Sequence, residues 1–72
     1  MKPISFNLCD APYIPLCDLL KTVGVTDSGG QAKMLIAAGE VRRNGEVETR
    51  KTAKIRSGEI ITLGEATIQV LP

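Results

Sequence analysis

A chain of 72 residues has room for one domain and one small core, near the lower limit at which a protein folds without a disulfide, a metal or a partner. Its hydrophobic share of 43% and charged share of 24% are those of a folded globular domain and exclude the polar, highly charged composition of a disordered one. A formal net charge of +1 singles out no class of partner, so the information lies in where the charges sit.

Ile4, Phe6 and Leu8 alternate with Ser5 and Asn7, which predicts a half-buried strand that Asp10-Ala11-Pro12 breaks. Pro15 suits the first turn of a helix, and Leu16, Leu19, Leu20 and Val23 carry that helix to Gly24. Ser28 with Gln31 three residues on has the form of a capping box, opening a second helix toward Ala38. Its inner stripe is Ala32, Leu35 and Ile36, Gly39 is its left-handed terminator, and Lys33 falls off the stripe toward solvent. Val41-Arg42-Arg43, Asn44-Gly45 and Glu46-Val47-Glu48 then read as a two-residue hairpin, because Asn-Gly accepts the positive φ angles of a primed turn. A basic stretch from Thr49 to Lys54 follows, then Ile55, a Ser57-Gly58 turn and a strand to Leu63. Gly64-Glu65 closes a second hairpin into the alternating Ala66, Ile68 and Val70. The order of strand, two helices and about four short strands predicts an α+β fold, two short helices packed on a small, mostly antiparallel sheet, forming a single domain over residues 1–72.

The charges are unevenly placed along this frame. Between Gln31 and Arg56 stand Lys33, Arg42, Arg43, Arg50, Lys51, Lys54 and Arg56 against Glu40, Glu46 and Glu48, a net +4, while the rest of the chain is −3. The hairpin and the stretch after it are therefore the anion-binding candidate.

Catalysis and metal binding find little support. With no histidine the commonest general base is missing, and the carboxylates are scattered among polar and turn residues. Two cysteines cannot make a four-ligand zinc set, and Cys9 and Cys17 are expected as thiols, small and partly buried. The expectation is a protein that is not an enzyme and needs no cofactor or metal. No apolar run approaches the roughly 20 residues of a membrane span, and Met1-Lys2-Pro3-Ile4-Ser5 lacks the apolar stretch of a signal peptide, so a cytoplasmic address with no membrane partner is expected.

The series LCDLL, Gly24, Ser28, QAKMLIAAGEV, Asn44-Gly45 and KIRSGEI, in that order from Leu16 to Leu63, resembles the alpha-L RNA-binding motif named after the small-subunit ribosomal protein S-four. The resemblance covers about two thirds of the chain. It implies a helix-helix-hairpin surface that docks on structured RNA, ribosomal or transfer. Carried over by position, that surface takes in Ser28, Gln31 and Lys33 at the second helix, Arg42, Arg43 and Asn44 at the hairpin, and the extension Arg50, Lys51 and Lys54. Where the family often has basic residues this sequence has Pro15, Asp18, Gly29, Met34, Ala37 and Glu40, which shifts the expected grip toward the hairpin. Arg43 stands where the family has an apolar residue. It either snorkels along the sheet edge or turns outward to RNA, and the sequence leaves both open.

Single-strand readers need aromatic platforms, and the chain has only Phe6 and Tyr13, both read as packing residues. The expected mechanism is neutralisation of phosphates by Arg and Lys on a rigid hairpin, with RNA recognised by shape. A rival of another class is a protein-interaction module of ubiquitin-like appearance, suggested by SGEIITL and the strand after it. Carrier chemistry would need a Gly-Gly end, and the sequence ends Val70-Leu71-Pro72.

Overall fold

The computed structural model describes residues 2–72. The elements are β1 (Lys2–Asn7), β2 (Ile14–Pro15), α1 (Leu16–Thr22), α2 (Gly29–Ala37), β3 (Val41–Arg43), β4 (Glu46–Val47), β5 (Lys54–Ile55), β6 (Ile60–Leu63) and β7 (Ala66–Leu71). Five strands form one sheet in the order β1-β7-β6-β3-β4, antiparallel throughout except where β1 lies parallel to β7, and β2 pairs with β5 in a small second sheet. The α+β architecture and its mostly antiparallel sheet are those predicted.

Strand alternation selects the face that the helices cover. Val41, Ile61, Ile68 and Val70 are fully buried on it, joined by the half-buried Ile4, Phe6 and Leu63. Opposite them come Leu16, Leu19 and Leu20 of α1 and Ala32 and Ile36 of α2, all fully buried. Both helices end in the same device. Gly24 and Gly39 take φ of +82° and +79°, and the amides around them bond back into the last turn: Gly24 to Lys21, Val25 to Leu20, Gly39 to Ile36 and Glu40 to Leu35. At the start of α2 the Ser28 hydroxyl accepts from the Gln31 amide at 3.2 Å, while Gln31 Oε1 accepts from the Asp27 amide at 2.7 Å. The capping box is therefore built one residue wider than its usual reciprocal form.

Three local expectations need correction. Pro15 is the residue before α1, extended at φ −60° and ψ 142°, and not in its first turn. Its segment also forms β2, an element with no periodic signature, because Ile14 and Pro15 find partners in Ile55 and Lys54. Of the two thiols, Cys17 is buried as expected. Cys9 is exposed, since it shares with Asp10 a left-handed turn (φ 53° and 74°) closed by the Ala11 amide on Leu8.

The β3–β4 turn is as predicted, with Asn44 at φ 52° and Gly45 at φ +88°. Nothing lies within 4 Å of where a Cβ on Gly45 would stand, so substitution there meets backbone strain and no clash. Gly45→Val is expected to cost more than about 1 kcal/mol in chemical denaturation, while Gly45→Asn, tolerant of this region, keeps most of the stability. Equal stability of the Val variant and the parent would show that the turn does not need this conformation.

Candidate nucleic-acid interface

The basic segment after β4 is an anchored loop. The Ala53 amide closes a turn on the Arg50 carbonyl at 3.2 Å, and the first amides of α1 reach across to it: Leu16 N–H donates to Ala53 O and Cys17 N–H to Lys51 O, each at 3.0 Å. Helix N-termini leave free amides, and here the loop satisfies two of them. Ala53 and Ile55 are buried, and the β2–β5 pairing holds the far end. The backbone is thus tied down while the side chains of Arg50, Lys51, Thr52, Lys54 and Arg56 stay exposed.

Two carboxylates organise what stands beside the loop. Arg43 lies on the same face of β3 as Val41, where the core ends, and its side chain is only 24% exposed. Its Nε and Nη2 donate to the two oxygens of Glu59 at 2.6 and 3.0 Å, Nη1 to Glu48 at 3.3 Å and Nη2 also to the Lys54 carbonyl at 2.9 Å. Glu48 in turn accepts from the Arg50 amide, Nε and Nη2 at 3.1, 3.1 and 3.2 Å. Glu59 accepts further from Asn44 Nδ2 at 3.2 Å and the Arg56 amide at 2.7 Å. Hydrogen bonds from the Arg50 side chain, then its amide and Arg43, outweigh burial and lower the Glu48 carboxyl to about 2; Arg43 above all holds Glu59 below its ordinary value.

A groove of about 400 Å³ opens on this scaffold, lined by Arg43, Arg50, Thr52, Ala53, Lys54 and Arg56, with no carboxylate in its wall. Glu48 and Glu59 line the neighbouring depression instead. The sequence-derived candidates divide accordingly. Arg43, Arg50 and Lys54 come together in the groove. Arg42 projects from the opposite face of β3, its Nη1 3.4 Å from the Gly45 carbonyl, and Lys51 is exposed on the loop without lining the groove. Ser28 and Gln31 are engaged in capping α2, and Lys33 stands exposed on that helix and does not line the groove. Asn44 is occupied on both sides of its amide, Nδ2 on Glu59 and Oδ1 accepting from the Ile60 amide at 2.9 Å.

The profile of the S4 domain matches residues 6–71. The chain belongs to the S4-domain family. YbcJ of Escherichia coli strain K12 and YbcJ of Shigella flexneri are each 45% identical to this S4 domain over 67 residues, which is 93% of this chain and 96% of theirs. The solution structure of Escherichia coli YbcJ, described as an alpha-L motif involved in RNA-binding, superposes with a TM-score of 0.78 at 42% identity, covering 100% of this chain and 91% of that one. The alpha-L fold expected from the sequence is therefore the fold of this S4 domain.

Arg56, Glu48 and Glu59 are charged residues of the site outside the sequence-derived candidates. Arg56 belongs to the basic segment but not to the contact set that the resemblance implies, although it stands inside the KIRSGEI motif. Glu48 and Glu59 read as scattered acids, and no local pattern marks them as partners of Arg43. Glu48 reaches Arg43 through the β3–β4 hairpin, and Glu59 does so through β3 pairing with β6, where Arg43 meets Ile61. Arg43 itself turns inward to these carboxylates. No helix among the described residues is long and apolar enough to cross a membrane.

Proposed function

We propose that this protein binds structured RNA, ribosomal or transfer, by its phosphates and its shape, acting in the cytoplasm in association with the ribosome and without catalysis. The observation that carries the reading is the groove, where Arg50, Lys54 and Arg56 from the segment anchored to α1 stand with Arg43 of β3 and no carboxylate lines the wall. Anchoring matters because an Arg or Lys already held in place loses less conformational freedom when it meets a phosphate. The likeness to YbcJ, whose structure is described as an alpha-L motif involved in RNA-binding, supports the same reading. The proposed contact set is Arg50, Lys51, Lys54 and Arg56, to which Arg42 on the other face of β3 and Lys33 on α2, the helix that Ser28 and Gln31 cap, add cations outside the groove. Arg43 and Asn44 serve by holding the hairpin, β6 and the loop in register.

If about four of these cations meet phosphates, affinity for a structured ribosomal or transfer RNA fragment should fall by roughly two decades between about 50 and 200 mM salt, taking the duplex-DNA slope as a guide. Fluorescence anisotropy of the labelled fragment measures this. Co-sedimentation of the protein with ribosomal particles in a lysate gradient tests the association. A salt-independent affinity, or none for any structured RNA at low salt, overturns the proposal.

A further inference from the structure

The chain has two aromatic rings, and they have different surroundings. Phe6 packs against the core. Tyr13 is only half-buried, in the segment Pro12-Tyr13-Ile14-Pro15 whose prolines restrict its backbone and whose last two residues are β2. The Lys54 ammonium lies over its ring, 5.3 Å from the centroid, and Lys54 also lines the basic groove. The pairing of Pro15 with Lys54 fixes the two backbones side by side. A ring next to a paired strand, with a groove cation over its face, is placed where a nucleotide would put both its charge and its base.

We propose that Tyr13 is a base-stacking residue of the RNA interface, which takes an unpaired nucleotide beside the phosphate that Lys54 holds. The proposal rests on the RNA-binding reading above and narrows its ligand to structured RNA with an unpaired nucleotide flanking a helical stretch, a bulge or a loop edge. A cation–π contact at an exposed site is weak, whereas a phosphate offers the same ammonium a full opposite charge. When RNA docks, Lys54 moves to the phosphate and uncovers the ring. The adjacent base, unstacked because it is unpaired, then stacks on that ring, and any base serves because each has a π face. A base within an uninterrupted duplex cannot reach it, since its faces are covered by its neighbours. The grip stays electrostatic, and one ring adds selectivity for RNA architecture.

The test compares a blunt RNA duplex with the same duplex carrying a single-nucleotide bulge, each labelled for anisotropy, against the full chain and its Tyr13→Phe and Tyr13→Leu variants. The parent should bind the bulged RNA about tenfold more tightly than the blunt duplex. Tyr13→Phe should keep that preference, and Tyr13→Leu should lose it while binding the blunt duplex as the parent does. Tyr13 is the only tyrosine, so its ring resonances identify themselves in NMR spectra of the unmodified protein. They should move upfield with the bulged RNA and stay in place with the blunt one, a readout that holds even if Tyr13→Leu folds poorly. An unchanged preference in Tyr13→Leu, or ring resonances that ignore the bulge, overturns the stacking role and leaves RNA binding standing. Failure of the parent to bind either RNA overturns both.

Discussion

Replacing Arg43 with Met should destabilise the domain by about 2 kcal/mol, more than removal of any exposed cation. The methionine keeps the apolar stem over the end of the core but removes every hydrogen bond of the guanidinium. Glu59 and Glu48, with side chains 17% and 11% exposed, would then face each other across a site that has lost its shared cation. Breaking a fully buried pair from one side costs about 3–5 kcal/mol, and partial solvent access together with the remaining Arg50 on Glu48 reduces that figure here. Denaturant titration measures the loss. Adding Glu59→Gln to the Arg43→Met variant should recover part of it, because the second change removes the stranded charge. The acid limb of stability should change as well. Glu48 and Glu59 are held below their ordinary value in the folded state, so their contribution is present above about pH 4.5 and disappears as pH falls, through about 2 for Glu48. The parent therefore weakens on acidification. The Met variant should weaken less, chiefly because Glu59 has lost its main partner. A variant as stable as the parent at neutral pH would show that the network contributes nothing to the fold.

Reversing Lys51 and Lys54 together to Glu should reduce RNA affinity by roughly two decades or more while leaving the fold in place. The loop is fixed by its backbone, through Lys51 O, Ala53 O and the pairing of β5 with β2, and neither lysine side chain takes part in those bonds. The stability cost is then limited to the Tyr13–Lys54 contact, less than about 1 kcal/mol at an exposed site. The electrostatic cost is large, because the two changes carry the formal net charge from +1 to −3 and place carboxylates beside the remaining groove cations. Lys21→Glu, an exposed reversal on α1 outside the basic segment, is the control and should bind nearly as the parent does. Anisotropy against one structured RNA at fixed salt measures all three proteins, and denaturation confirms that each is folded. Full binding by the double variant would displace the interface from this loop.

The sequence by itself determined the elements whose cause is local. Periodicity placed both helices and the longer strands, the left-handed glycines 24 and 39 marked the helix ends, and Asn44-Gly45 named the type of hairpin turn. The charge count also found the basic region, and the ordered motif series found the family, because both are written in consecutive residues. What only the tertiary structure decided depends on residues far apart in the chain. β2 has no pattern of its own and exists through β5, and the parallel pairing of β1 with β7 joins the two ends of the chain. The fate of Arg43 was undecided for the same reason. A long cation at the end of a buried face turns outward if it finds no partner and inward if it does, and its partner Glu59 stands sixteen residues away on the strand that β3 meets. Net charge could count Arg43 and Arg50 among the free cations, but carboxylates satisfy much of the first and hold the second in place. The side chains of Lys54 and Arg56 line the groove without such a carboxylate partner among the described residues, a distinction that follows from distances between side chains and not from their order.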